Sequence, residues 1–403
     1  MSRPVIFSLL AALVLAGAAH AQTGIRLLVS PPPAPAFTFG DTISFEVSAR
    51  SQATISDVTL FVRTGHRSSA SEMEADFIPG TDVKAIVSLN LALNPWPPFA
   101  AVEYWWVFRD SAGAILTTDA RYFDYEDNRF TWRTARRGSL TVHWYQGDKD
   151  FGQTALDAAM TALTSANRYI GAPLPSHVDI YIYADSGQAQ AALKQVGRVW
   201  ADGYADPTQG VVIVAVAPDA SAELNLEREI RHELTHVLVF QATGAFYAQV
   251  PAWLNEGLAV MNEAHPDPNF PAVLAKAVEA GKVIGLDQLC GPFPDDPFQA
   301  QLAYAQSESV VRFVRDRYGL EGVLSLLGAY AQGDNCEGGV ARGLGLSLAE
   351  MESQWLSELV VPYPVLPRLR ALGPWLALSM LILIAPGIFL LLTFRVRAAP
   401  RQG

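Results

Sequence analysis

Residues 231–260 read RHELTHVLVFQATGAFYAQVPAWLNEGLAV, and this stretch decides the fold of the second half of the chain. The pattern before Gly244 predicts a helix from about 222 to 241, with apolar residues at helical spacing. Gly244 and Pro251 interrupt that pattern and allow the chain to turn back into a second helix. We expect the first helix to be largely buried through its apolar residues Leu224, Ile230, Leu234, Val237 and Leu238.

The first of these helices carries two histidines and a glutamate close together, at His232, Glu233 and His236. Side chains four residues apart lie on the same face of a helix, so both imidazoles can reach one metal ion. Glu233 lies one step further round, where its carboxylate can act on a water bound to that ion. The cluster therefore predicts a metal site that is equipped for hydrolysis.

The third ligand must come from elsewhere, because a catalytic zinc takes three protein ligands and keeps one position open for water. A metzincin would place a glycine three residues after His236 and a histidine six residues after it. This chain has Val239 and Ala242 at those positions, which excludes that class. The alternative is a glutamate from the second helix, and Glu256 lies there, twenty residues after His236.

The paired motifs, HELTH at 232–236 and WLNEGLA at 253–259, resemble those of the gluzincin zinc peptidases. The second motif is close to that of the alanyl-aminopeptidase-like branch. The pair is most similar to the membrane-anchored peptidase MA-like group. This resemblance is loose over 139–359 and tight over the two motifs.

The resemblance implies a role for each residue of the site. It implies that His232, His236 and Glu256 bind Zn²⁺. It makes Glu233 the general base and later the proton donor. Residues 302–309 resemble the helix that supplies a tyrosine hydroxyl to the tetrahedral intermediate, so Tyr304 is either that donor or a plain core aromatic.

Further features bear on the same comparison. Tyr247 and His265 are the secondary candidates for the donor to the tetrahedral intermediate. The strand predicted at 210–216 would be the edge strand to which an extended substrate adds itself. The Gly-Ala-Met-Glu-Asn motif that captures a free substrate amine is absent before His232, so aminopeptidase specificity does not follow. A thermolysin-type enzyme has an aspartate four residues after the third ligand, where this chain has Val260, and the group that orients a ligating histidine stays unassigned.

The first part of the chain follows a different pattern. Short alternating runs at 42–47, 58–62, 103–108 and 122–125 are typical of half-buried strands. About 100 residues of such strands predict an all-β sandwich of the immunoglobulin-like kind, without a cysteine bridge. The sandwich carries no visible chemistry, and we interpret it as a spacer or a packing partner.

After residue 135 the pattern changes to strands followed by helices. Strand-like runs at 139–145, 178–183 and 210–216 alternate with helical stretches such as 154–169. From residue 223 almost everything is predicted to be helical, up to a last amphipathic helix at 347–359. This order predicts an α+β domain, and the resemblance makes it a gluzincin (thermolysin-like) catalytic domain.

The two ends of the chain are apolar. Residues 1–21 contain one arginine, an apolar run and a small-x-small site, as in a signal peptide. Residues 371–394 carry no charge and exceed the roughly 20 residues that cross a bilayer, which predicts one C-terminal transmembrane helix. The predicted segments are the signal peptide 1–21, the β-sandwich domain 22–135, the peptidase-like domain 136–360, a Pro-rich linker 361–370, the transmembrane helix 371–394 and a cytoplasmic tail 395–403.

The composition argues against a nucleic-acid partner and against a zinc cluster held by cysteines. The formal net charge of −11 argues against a nucleic-acid partner, because phosphate binding needs a basic face. The two cysteines, Cys290 and Cys336, are too few for a structural zinc cluster. On the oxidising side of a membrane they can form one disulfide, and two buried free thiols are the alternative.

These features predict a type I membrane protein whose zinc-dependent peptidase faces outward and hydrolyses peptide or protein substrates. The alternative is a non-catalytic cell-surface binding protein with a structural zinc site. The presence of Glu233 beside the metal ligands favours the enzyme.

Overall fold

A computed structural model of the chain describes residues 27–65, 69–196 and 203–359. Within these ranges no helix is long and apolar enough to cross a membrane. Four predicted segments lie outside them, namely the signal peptide 1–21, the linker 361–370, the transmembrane helix 371–394 and the tail 395–403.

The chain divides into two compact units, with Met1–Thr131 and Gln190–Ala201 in the first, and Trp132–Ala189 and Asp202–Gly403 in the second. The first unit is rich in β-structure, as predicted. Its strands are β1 Leu27–Val29, β2 Ala36–Thr38, β3 Thr42–Thr64, β4 Ser71–Glu74, β5 Gly80–Asn90, β6 Ala101–Asp110, β7 Ile115–Thr117 and β8 Arg121–Asp124.

A single long strand, β3, organises the first unit. Residues 42–50 of β3 pair with β5, and residues 55–64 pair with β6, with irregularities in the register between these two parts. The strands predicted at 42–47 and 58–62 are therefore one strand of 23 residues, since no glycine or proline interrupts it. Through β3 all eight described strands join one hydrogen-bonded sheet, instead of the two separate sheets of an immunoglobulin-like sandwich.

The second unit combines a five-stranded sheet with helices. Its strands are β9 Arg133–Arg137, β10 Leu140–Trp144, β11 Val178–Tyr183, β12 Gly203–Asp206 and β13 Val211–Ala215. Its helices are α1 Lys149–Ile170, α3 Ala222–Thr243, α4 Ala252–Asn262, α5 Phe270–Glu279, α6 Pro297–Tyr330, α7 Cys336–Leu344 and α8 Leu348–Leu359. Helix α2, Ser186–Leu193, crosses the division between the units, and short 3-10 turns lie at Lys194–Val196, Gly244–Gln249 and Gln288–Cys290.

The strands of this sheet follow the order β12-β13-β11-β10-β9. The three inner strands are parallel, and the two outer strands run antiparallel to their neighbours. Alternate residues of the inner strands, such as Ile180 and Val214, pack with α1 and α3 in one core. The predicted α+β arrangement of this half is confirmed.

The edge strand differs from the prediction. The strand expected at 210–216 is β13, which lies inside the sheet between β12 and β11. The edge next to β13 is formed by β12, which has only four residues, and the opposite edge is formed by β9. The sequence pattern missed β12 because so short a strand, with a glycine and an aspartate at its ends, has no clear alternation.

Candidate metal centre

Helix α3 holds both histidines close to the core. Its buried residues include Leu226, Ile230 and Leu234, whereas Leu224, which we expected to be buried, is 53% exposed. The rings of His232 and His236 have centroids 5.1 Å apart, as expected for side chains one turn apart on one face. The helix thus presents the two rings together toward the neighbouring helix.

Helix α4 supplies the third candidate ligand. It begins after Pro251, and the fully buried Trp253 anchors it in the core. Glu256 Oε2 lies 3.3 Å from His232 Nε2 and 3.7 Å from His236 Nε2. The structure therefore brings together the three side chains for which the sequence predicts metal binding.

This cluster fits a zinc ion. Ligand bonds of about 2.0–2.1 Å in a tetrahedron place the ligand atoms about 3.3 Å apart. The ligand atoms of His232, His236 and Glu256 all lie within 4.8 Å of one another. Two imidazole nitrogens and one carboxylate oxygen are a donor set of catalytic zinc, with a fourth position left for water. Over the described part of the chain no other group of three such side chains meets this criterion.

Two neighbouring side chains orient the histidines. The Nδ1 of His232 lies 2.8 Å from Glu263 Oε1, and the Nδ1 of His236 lies 3.1 Å from Asn255 Oδ1. Because both partners accept hydrogen bonds there, each Nδ1 must donate, and each Nε2 remains available to a metal. Outer partners of this kind fix the tautomer and the orientation of a ligating ring.

The sequence pattern does not reveal these two partners. At the position four residues after Glu256, where a thermolysin-type enzyme has its orienting carboxylate, the chain has Val260. Glu263 lies seven residues after Glu256, which is two helical turns and returns to the same face of α4. This second spacing is the signal that points to Glu263. Asn255 belongs to the WLNEGLA motif, but the motif alone does not assign it this role.

The cluster attracts positive charge. Burial alone lowers the pKa of His232, but hydrogen bonds to Glu256 and Glu263, together with the charge of Glu233, outweigh it and raise the pKa well above its usual value. Carboxylates that stabilise an imidazolium also stabilise a divalent cation, which must displace the proton as it binds. The electrostatics of the site therefore agree with its donor set.

Glu233 is buried next to the edge strand β12. Glu233 is only 6% exposed to solvent. A Cβ atom at Gly203 would lie 2.4 Å from Glu233 Oε1, so only a glycine leaves room for the carboxylate at that position. The candidate base thus lies between the metal ligands on α3 and the strand at the edge of the sheet.

Tyr304 lies beside the candidate ligands. Its ring centroid is 6.1 Å from that of His232, and the ring of Phe293 packs edge-on against it at 5.0 Å. The side chain is half-buried on α6. This position agrees with a hydroxyl donor near the metal, and its role stays a prediction.

The two further candidates have other contacts. The hydroxyl of Tyr247 accepts a hydrogen bond from Asn255 Nδ2 at 3.1 Å, so Tyr247 braces the partner of His236. His265 is half-exposed, and its Nε2 lies 3.3 Å from Glu227 Oε2.

Cys290 and Cys336 form a disulfide, with their Cα atoms 5.9 Å apart. It joins the 3-10 turn at Gln288–Cys290 to the start of α7. The alternative of two free thiols is wrong. The bridge closes a loop that contains the whole of α6, on which Tyr304 lies.

The fold and the site together define a metal-dependent hydrolase with an HExxH helix and a glutamate third ligand. The family model of the peptidase MA superfamily matches residues 158–361, about half of the chain. The chain belongs to the peptidase MA superfamily, and it is a zinc metallopeptidase of the gluzincin type. The predicted enzyme class and the predicted Zn²⁺ are thereby confirmed.

The solved structures to which this chain is similar include a zinc metallopeptidase of the M1 family from Deinococcus radiodurans. It has 13% sequence identity, the match covers 83% of this chain and 94% of that one, and the TM-score is 0.38. An aminopeptidase N family protein from Idiomarina loihiensis has 8% identity, with 80% and 68% of the two chains covered and a TM-score of 0.31. A comparison with curated proteins finds no match.

Proposed function

We propose that the chain is an outward-facing, membrane-anchored zinc peptidase in which Glu233 is the general base. One observation carries the proposal. Glu233 is buried on the same helix as His232 and His236, and its carboxylate lies against the edge strand β12. A buried carboxylate beside a metal position is the group that hydrolysis requires and a structural zinc site does not.

The proposed mechanism uses five side chains of this protein: three that would hold the metal, one general base and one hydrogen-bond donor. His232, His236 and Glu256 would hold the zinc ion, which would lower the pKa of a bound water and polarise the scissile carbonyl. Glu233 accepts the proton of the attacking water at its carboxylate and delivers it to the leaving amine. The Tyr304 hydroxyl donates a hydrogen bond to the oxyanion that develops on the carbonyl.

The proposed substrate is an extended peptide segment. Strand β12 lies at one edge of the five-stranded sheet, and an edge strand is the element to which an extended peptide can add by backbone hydrogen bonds. A peptide that adds to this edge would pass over Glu233, because Gly203 on β12 lies against that carboxylate. This arrangement supports cleavage of a main-chain amide.

Two features support the proposed location. The uncharged run at 371–394 is long enough for a membrane helix, and 1–21 has the pattern of a signal peptide. The disulfide Cys290–Cys336 is typical of proteins outside the reducing cytosol. A membrane-impermeant protease applied to intact cells should digest the domain, and protection until permeabilisation would contradict the outward orientation.

The catalytic proposal is tested with Glu233→Gln in the full-length protein. We expect cleavage of a broad fluorogenic peptide library to be abolished, while zinc stays at one per chain by elemental analysis. Glu223→Gln is the matched control, because Glu223 is an exposed carboxylate on the same helix. Activity of Glu233→Gln close to that of the wild type would end the assignment. A wild-type protein that holds zinc but cleaves nothing would indicate a binding protein.

A further inference from the structure

We propose that the Cys290–Cys336 disulfide positions Tyr304 through Phe293, so that the turnover of the peptidase depends on the oxidation state of this bridge. The inference rests on the proposed function, because it takes the Tyr304 hydroxyl to act in the reaction. Phe293 and the two cysteines are positioning residues, since none of them contacts a candidate metal ligand in the contacts described.

Phe293 supports the tyrosine from the side of the loop. Its ring packs edge-on against Tyr304 at a centroid distance of 5.0 Å, and Tyr304 in turn packs against His232 at 6.1 Å. The backbone of Tyr304 is fixed by α6, and Phe293 and His232 are among the neighbours that orient its ring. Loss of the Phe293 ring would let the hydroxyl leave the place where the oxyanion develops.

The segment that carries Phe293 is short and is held at both ends. Residues 291–296 read GPFPDD and connect Cys290 to α6. At the far end Asp296 caps α6 by accepting a hydrogen bond from the Gln299 amide at 3.0 Å. At the near end the disulfide lies three residues before Phe293. The bridge is thus the covalent anchor nearest to the supporting ring.

The other end of the bridge has attachments of its own. The Tyr330 hydroxyl donates a hydrogen bond to the Cys336 carbonyl at 2.9 Å. Val340 on α7 is fully buried in the core of the unit. Helix α7 therefore remains attached when the bridge opens. The turn before the bridge is also held, because Leu289 is buried in the same core, so we expect the change in residues 291–296, which carry Phe293.

Opening the bridge is a two-electron reduction. With a water-soluble phosphine, phosphorus attacks one sulfur and the S–S bond breaks. The oxygen of a water molecule then ends on phosphorus as the phosphine oxide, and its two protons end on the two thiols. A cellular dithiol would supply the same two electrons and two protons by exchange.

The test compares Phe293→Leu and the double variant Cys290→Ser/Cys336→Ser with the wild type. An aromatic pair contributes a factor of about two to ten in the population of one ring orientation, and we expect kcat to fall by that factor in both. We expect KM and the zinc content to stay unchanged. Phosphine treatment should lower kcat of the wild type to the level of the double variant and leave the double variant unaffected.

A double-mutant cycle separates positioning from a loss of stability. Tyr304→Phe removes the hydroxyl, and in that background Phe293→Leu and the cysteine replacements should have no further effect on kcat. Tyr330→Phe is the control, because it removes the bond to Cys336 and keeps the bridge. We expect it to lower the melting temperature without changing kcat.

The outcomes distinguish the inference from the function on which it rests. If Glu233→Gln or Tyr304→Phe retains wild-type turnover, the proposed mechanism fails first. If Tyr304→Phe is impaired but Phe293→Leu and the reduced enzyme turn over normally, only the positioning inference is overturned. An effect of Phe293→Leu that persists in the Tyr304→Phe background also overturns it, because the ring then acts by another route.

Discussion

Replacing Glu263 by alanine should weaken zinc binding by about 10- to 100-fold. Glu263 Oε1 lies 2.8 Å from His232 Nδ1, and the Glu263 side chain is only 9% exposed. A hydrogen bond to a charged group contributes about 1.5–3 kcal/mol, or about 10- to 150-fold in an equilibrium constant. Because the Nε2 of the same ring is the candidate metal ligand, losing the hydrogen bond to Nδ1 lowers the affinity for the metal.

The assay is competition for zinc against a chromogenic chelator near neutral pH, with the full-length protein. Glu263→Gln keeps a carbonyl acceptor for Nδ1 and should lose less affinity than Glu263→Ala. Glu227→Gln is the control, since Glu227 pairs with the half-exposed His265. A zinc affinity of Glu263→Ala equal to that of the wild type would refute the reasoning that this carboxylate holds His232 in place.

Three further predictions follow from close contacts and from metal binding. Gly203→Ala should lower kcat at least about tenfold without loss of zinc, because the added Cβ would lie 2.4 Å from Glu233 Oε1 and would displace the candidate base. An unchanged kcat would contradict this contact. Gly257→Ala should lower the free energy of unfolding by about 1–3 kcal/mol, because the added Cβ would lie 2.4 Å from the Ser307 carbonyl oxygen. Equal denaturant midpoints for the variant and the wild type would show that α4 and α6 move apart without cost. Removing the zinc with a chelator should lower the melting temperature, because a ligand at 1,000 times its Kd adds about 4.1 kcal/mol to the free energy of unfolding. Coincident melting curves with and without chelator would argue against a metal that binds the folded state.

The sequence predicted the metal cluster well because local rules govern most of it. The spacing of His232 and His236 on a helix fixes their common face, whatever the rest of the fold does. Glu256 required more, since it lies on another helix and its contact depends on the turn between Gly244 and Pro251. The glycine and proline made that turn predictable, and the resemblance of the second motif named the ligand.

The sequence could not predict features that depend on pairing between distant residues. The edge of the sheet is β12 and not β13, because a four-residue strand becomes a strand only through its neighbour. The continuity of β3 is not predictable for the related reason that residues 48–57 lose the apolar alternation, although residues 48–51, 55 and 57 are paired with neighbouring strands. The cysteine bridge was one of two alternatives, since spacing along the chain does not give the distance between Cα atoms.

Helix α4 shows why the second motif is as informative as the first. This helix has eleven residues and ends at the C-cap Glu263. Asn255 and Glu263 orient the two histidines, and the candidate ligand Glu256 lies between them in the sequence. The geometry of the metal centre therefore depends on how α4 docks against α3. Apolar contacts favour docking but do not fix its register, whereas a buried hydrogen bond is directional.

Such a bond is present at the end of α4. The amide of Asn262 donates to Thr235 Oγ1 at 3.1 Å and accepts from Ser165 Oγ at 2.6 Å, so it joins α4 to both α3 and α1. Asn262 and Thr235 are buried, and the next residue along the chain is Glu263. A shift of α4 by a fraction of a turn would break this network and move Glu263 away from His232. The polar network thus links the packing of three helices to the position of one candidate metal ligand, His232.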